Sequence, residues 1–196
     1  MANWMTHIAV VVGAGVCVAT SVAAGARTTT TRPVPQAQEP PSAEAPVAPP
    51  GVRAKLIGQQ GATRTYQLVL APGTEAMGAI SEFVVANHIQ AAHFQGLGAC
   101  TDAVLAYYDP GSHAYQKTTY RQQMEIVSII GDAAPTAGDA AGLHVHMGVA
   151  FADGTMHGGH LFETHVSPTM ELELTASPNP IHREYAETFK AWLLKP

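Results

Sequence analysis

Charge and cysteine are both scarce in this sequence. Only 13% of its 196 residues are Asp, Glu, Lys or Arg, and there are two cysteines, Cys17 and Cys100. So few cysteines exclude a disulfide scaffold and any cysteine-rich zinc module. Ten basic residues face fifteen acidic ones, for a formal net charge of -5. The missing basic surplus argues against nucleic acid as a partner, because phosphate binding is driven by charge neutralisation. There is no G-x-S-x-G elbow, no Walker loop and no complete dinucleotide fingerprint. Gly96-Leu97-Gly98 lacks the third glycine in register and reads as a tight turn. What is plentiful is histidine: ten residues, as many as Lys and Arg combined. Imidazole is a common metal ligand and titrates near neutrality.

The chain divides into three parts. Ile8 to Ala26 runs for nineteen residues without a charge and ends in Ala24-Gly25-Ala26, an A-x-A cleavage pattern. Residues 1–26 therefore read as a secretory signal peptide, or as a membrane anchor if uncleaved, since nineteen apolar residues just span a bilayer. The expected location is periplasmic or secreted. Residues 27–52 hold seven of the fourteen prolines, which favours an extended, unfolded tether. Residues 53–196 are long enough for one domain with its own core. Removal of the leader leaves Cys100 alone, as a small buried apolar residue.

Within the domain, Thr65–Leu70 reads as a strand, closed by Ala71-Pro72-Gly73. Thr74 can cap a helix over about 75–90. Further strands are expected at 91–98, 103–108, 115–121, 124–130, 143–151, 156–166 and 170–174. A last helix is expected over 182–194, with Ile181, Tyr185, Phe189 and Trp192 or Leu193 on one face. The fold class is α+β: a central, largely antiparallel sheet of seven or eight strands with two flanking helices.

Five histidines fall between positions 144 and 165. On a strand, His144 and His146 share a face, roughly 6.5–7 Å apart, and could converge on one divalent ion such as zinc. The third ligand depends on the hairpin that follows. If Asp153-Gly154 is a strict two-residue turn, His146 faces Leu161, His144 faces Glu163, and His160 points away. A bulge at Gly158-Gly159 would bring His160 round instead. Glu163, Glu125 and His157 are the candidate neighbours of the site. Glu125 is the one acid in an apolar strand, and either lies on its polar edge or is a buried partner of a basic group. His157 and His165 read as peripheral. The same histidines could equally form a hydrogen-bonded structural or interface cluster, or act in acid–base catalysis. No dedicated general base is legible, so no enzymatic reaction is assigned.

These motifs resemble the plant and prokaryote conserved domain, domain of unknown function 296, in its stand-alone prokaryotic branch. The resemblance lies in Leu70-Ala71-Pro72-Gly73, the run Phe94 to Ala103, and Glu125 to Gly131. It continues in Leu143-His144-Val145-His146, Asp153-Gly154 and Gly158-Gly159-His160-Leu161. It implies a homotrimer and places His144, His146 and His160 close together, favouring the bulged register. Relatives commonly carry a DNA-binding label. The resulting expectation is an exported trimer whose histidine-lined site holds zinc or another divalent metal and leaves room for a small-molecule ligand. The alternatives are a DNA-binding regulator and a non-catalytic assembly module.

Overall fold

The computed structural model describes residues 45–195. The expected leader and most of the tether lie outside the described residues. Residues 45–49 run without regular structure, and Val47 exchanges two backbone hydrogen bonds with the Asn87 side chain (2.9 and 2.8 Å).

Six strands form one antiparallel sheet: β1 (Val52–Gln60), β2 (Thr63–Leu70), β3 (Ala92–Asp109), β4 (Ala114–Ala133), β5 (Leu143–Ala150) and β6 (Met156–Ala176). Their order is β1-β2-β6-β3-β4-β5, and the first part of β6 also pairs with β5. The circuit β3-β4-β5-β6 therefore closes on itself, which leaves no open edge among those four strands. Alternation builds the core. Val145, Met147 and Val149 on β5 point inward, as do Met124, Ile126 and Ile129 on β4, and all six are buried. The positions between them, including His144 and His146, point out.

The strands are longer than the sequence pattern indicates. The segments at 91–98 and 103–108 are one strand, β3; those at 115–121 and 124–130 are β4; those at 156–166 and 170–174 are β6. Register shifts between Gly96/Gly98 and Cys100/Asp102 on β3 bend the strand without ending it, so each break in alternation looked like a terminus. Gly96 and Gly98 lie within β3 and make no tight turn. A Cβ on Gly96 would sit 2.1 Å from the Glu171 carbonyl oxygen, so the glycine serves the close approach of β6. β1 was not visible in the pattern; its positions alternate only between half-buried and exposed.

One helix is present among the described residues, not two. It is α1 (Ala76–Ala86), and its cap is Glu75 rather than Thr74. The Glu75 carboxylate accepts from the Met77 and Gly78 backbone amides at 3.0 and 2.6 Å. The helix stops short of Gln90 because the Asn87 side chain caps the Phe83 carbonyl and His88 adopts φ 52°. Ile80, Phe83 and Val84 bury against the sheet, with the Phe83 ring edge-on to Tyr66 at 5.4 Å.

The segment expected to form the second helix is instead a hairpin of β7 (His182–Ala186) and β8 (Ala191–Lys195). Lys190 has φ 48°, which closes a turn and would interrupt a helix. The hairpin is anchored by Arg183, which is buried and ion-paired with Asp132, and whose Nε donates to the Gly142 carbonyl at 3.3 Å. The supposed apolar helix face is not buried: Phe189, Trp192 and Leu193 remain 43–47% exposed.

Candidate metal centre

The hairpin of β5 and β6 sets which histidines meet. Phe151 and Thr155 close it through a 2.9 Å backbone bond, with Ala152, Asp153 and Gly154 in the loop. Gly154 takes φ 83°, the left-handed residue that ends a three-residue loop. The loop is thus one residue longer than a strict Asp-Gly turn, and that residue shifts the register by one. Because side chains alternate, such a shift exchanges the two faces of a strand. His146 pairs with His160 rather than with Leu161. No bulge at Gly158-Gly159 is needed: Gly158 pairs regularly with Gly148, and Gly159 with Met147.

His144, His146 and His160 each offer a ring nitrogen, and these atoms lie within 4.8 Å of one another. The three rings stand 5.2–5.5 Å apart, centroid to centroid. His144 and His160 are half-buried, and His146 is more open. Burial disfavours protonation, and the charges of Arg183 and His146 lower the His144 pKa further. The same desolvation, reinforced by His144, His146 and Lys117, pulls His160 down to about 4. His144 and His160 therefore present neutral donors at physiological pH, the form that metals bind.

His160 also supplies a test of fit. Among the described residues, its Nδ1 is a buried side-chain atom with no hydrogen-bond partner. An unpaired buried polar atom costs about 1–3 kcal/mol. A cation bound at Nδ1 would remove that cost, and three imidazoles are a donor set suited to zinc or a similar divalent ion. The cluster is thus capable of holding a divalent metal.

A cavity of about 600 Å³ opens over the triad. Ala106, Tyr107, Tyr108 and Tyr115 line one side, and Phe189, Ala191 and Leu193 of the terminal hairpin line the other. The Tyr108 hydroxyl donates to the Phe189 carbonyl at 2.7 Å and contacts His113 Nδ1 at 2.9 Å. Tyr107, Tyr108 and Tyr115 on β3 and β4 did not stand out in the sequence as site residues, and Phe189 was assigned to a helix face rather than to the hairpin that brings it here.

The other candidate neighbours lie elsewhere. Glu163 is exposed, pairs with Val104, and groups with Asp102 and His165 in a second set of ligand atoms within 4.8 Å. His165 was read as peripheral, yet its Nδ1 lies 3.0 Å from Asp102 Oδ1. That bond, with the charges of Asp102, Glu163 and Glu75, raises its pKa. Glu125 is exposed on β4 opposite Ala99 and Ala150, on the polar edge of the strand. His157 is exposed and packs against Tyr120 and Phe151, both at 5.2 Å. Cys100 is free and buried.

An antiparallel sheet with one helix, its H-x-H strand paired with a G-G-H strand, defines an α+β domain with a candidate metal centre. The chain belongs to the Plants and Prokaryotes Conserved (PCC) domain family, whose model matches residues 57–178. Among curated proteins, none matches the sequence. Several solved structures do. One is a candidate DNA-binding protein from Bacteroides thetaiotaomicron, with TM-score 0.68 and 24% identity over 74% of this chain and 97% of that one. A second, from Ralstonia eutropha JMP134, has the same description, with TM-score 0.62 and 26% identity over 67% and 90%. A third is a metal-containing protein from Archaeoglobus fulgidus, with TM-score 0.63 and 27% identity over 74% and 97%.

These relatives correct the argument from charge against nucleic acid. Two of them are described as candidate DNA-binding proteins, so a net charge of -5 does not dispose of that partner. Net charge averages over the whole surface, whereas phosphates respond to the local field.

Proposed function

We propose that this chain is a metal-binding PCC-domain protein in which His144, His146 and His160 hold one divalent ion, zinc in the first instance. The observation that carries the reading is the buried Nδ1 of His160, unpaired among the described residues, within a cluster of three imidazoles. The metal-containing relative from Archaeoglobus fulgidus, 27% identical, supports it. A divalent ion supplies Lewis acidity and a point of attachment for a ligand oxygen. The chain's own residues orient the three rings on β5 and β6 and set aromatic side chains around them. The test is metal content of protein purified without a nickel column. About one equivalent is expected, with a rise in melting temperature on added zinc; less than about a tenth of an equivalent and no thermal shift would sink the reading.

Two finer elements belong to the same proposal. The leader pattern supports export, which is tested by N-terminal sequencing of protein from the periplasm or medium. Exposed Leu97 and Ile130 support self-association, for which the family resemblance implies a homotrimer; sedimentation velocity would check it.

A second reading is DNA binding, favoured by the description of the 26% identical Ralstonia eutropha protein. Fluorescence anisotropy of a labelled duplex against the full chain tests it. Binding that weakens steeply with added salt supports the reading; no binding at low salt removes it.

A further inference from the structure

The cavity above the triad has walls that select for charge and for shape. Resting on the metal reading above, we infer that the ion at His144, His146 and His160 takes as its external ligand a carboxylate carried on an aromatic body, with the terminal hairpin β7–β8 gripping that body.

The charge argument starts from the donors. Three neutral imidazoles leave a divalent ion with its full charge, and no Asp or Glu lines the cavity. Lys117 adds a further cation nearby: its Nζ sits 3.5 Å from the centre of the Phe162 ring, which packs 5.0 Å from His160. Asp132, which pairs with His144, is no counterweight, because its charge is already matched by Arg183. An uncompensated dication against apolar walls is unfavourable. Since no carboxylate among the described residues lines the cavity, the ligand supplies the anion, and an oxygen anion suits a zinc-like ion.

The shape argument concerns what surrounds that anion. About 600 Å³ is far more room than acetate fills, and lies within the range of small-molecule sites. Tyr107, Tyr115 and Phe189 present ring surface, and Leu193 closes the apolar wall. Such walls favour a flat ring held edge-on or offset. Tyr108 is both a wall of the cavity and the residue that ties Phe189 down, so the grip depends on the hairpin staying docked.

The experiment uses the full chain loaded with cobalt(II), whose visible spectrum reports the ion's surroundings. Benzoate, acetate and benzyl alcohol are titrated separately, with calorimetry in parallel. Benzoate is expected to bind at least tenfold more tightly than acetate, and benzyl alcohol to leave the spectrum unchanged. Phe189→Ala and Tyr107→Ala, both at exposed positions, should each reduce the benzoate preference to below threefold. Equal binding of benzoate and acetate would overturn the inference, as would equal binding of benzyl alcohol or benzoate binding that survives removal of the metal. Loaded protein lacking the preference defeats this inference alone. Protein that takes up no cobalt defeats the metal reading, and this inference with it.

Discussion

A single residue decides the character of the site. With Glu163 as third ligand, the centre would carry a fixed negative charge; with His160 it carries none. His160 is placed by its pairing with His146 and by Ala106 on β3, and its buried Nδ1 has no other partner. His160→Ala should therefore lower zinc affinity at least about hundredfold, more than the tenfold to hundredfold typical of outer partners. Glu163→Gln should leave it within about twofold. Competition against a chromophoric chelator measures both, and equal effects would overturn the assignment. A second residue-scale prediction concerns His165. Its partner Asp102 and the nearby carboxylates of Glu163 and Glu75 favour the protonated ring, so its pKa lies above the usual 6.5. The resulting stabilisation is fully present below pH 6.5 and is lost as pH rises through the folded value. In an NMR titration, the His165 midpoint should lie above 6.5 and fall in Asp102→Asn. An unchanged midpoint in the variant would contradict the pairing.

At the scale of elements, the two hairpins explain what the sequence disclosed and what it hid. The H-x-H strand was legible because period-two alternation fixes which side chains share a face, whatever the partner strand. The partner was not legible, because a loop of two residues and one of three differ by a single position that no local pattern marks. Gly154 carries the difference at φ 83°. Gly154→Val should cost about 1–2 kcal/mol in urea denaturation, the usual penalty of a left-handed L-residue; no loss would mean the loop is not the one described. The terminal hairpin was read as a helix because Tyr185, Phe189 and Trp192 happen to recur at three and four. That spacing marks a helix only where the stripe is buried, and here it is not. What holds β7–β8 is Arg183, a charged side chain that hydrophobic periodicity ignores. Arg183→Met leaves Asp132 half-buried without its cation, a loss of about 3 kcal/mol. Trypsin should then cut after Lys190 much faster than in the wild type, while the main sheet unfolds at a similar urea midpoint. Equal cleavage rates would show that the hairpin is held by something else.

At the scale of the whole molecule, the position of the triad makes metal binding a property of the fold rather than of one strand. His144 and His146 lie on β5 and His160 on β6, so the three donors assemble only when β5 and β6 pair. An unfolded chain has no such site, and a ligand that binds only the folded form adds its binding free energy to stability. At a free zinc concentration a hundred times the dissociation constant, the gain is about 2.7 kcal/mol. For a domain of this size, each kcal/mol moves the melting temperature by roughly 2–4 °C, so zinc should raise it by roughly 5–11 °C. EDTA should reverse the shift, and His144→Ala/His146→Ala should abolish it. The same variant separates the metal reading from an assembly role. If the histidines chiefly join subunits, sedimentation velocity will show the oligomer dissociating in the double variant while bound metal is unchanged. If they hold metal, the variant keeps its sedimentation coefficient and loses both the zinc and the thermal shift. A wild-type protein whose melting temperature moves by less than about 1 °C between saturating zinc and EDTA would remove the metal from the closed sheet altogether.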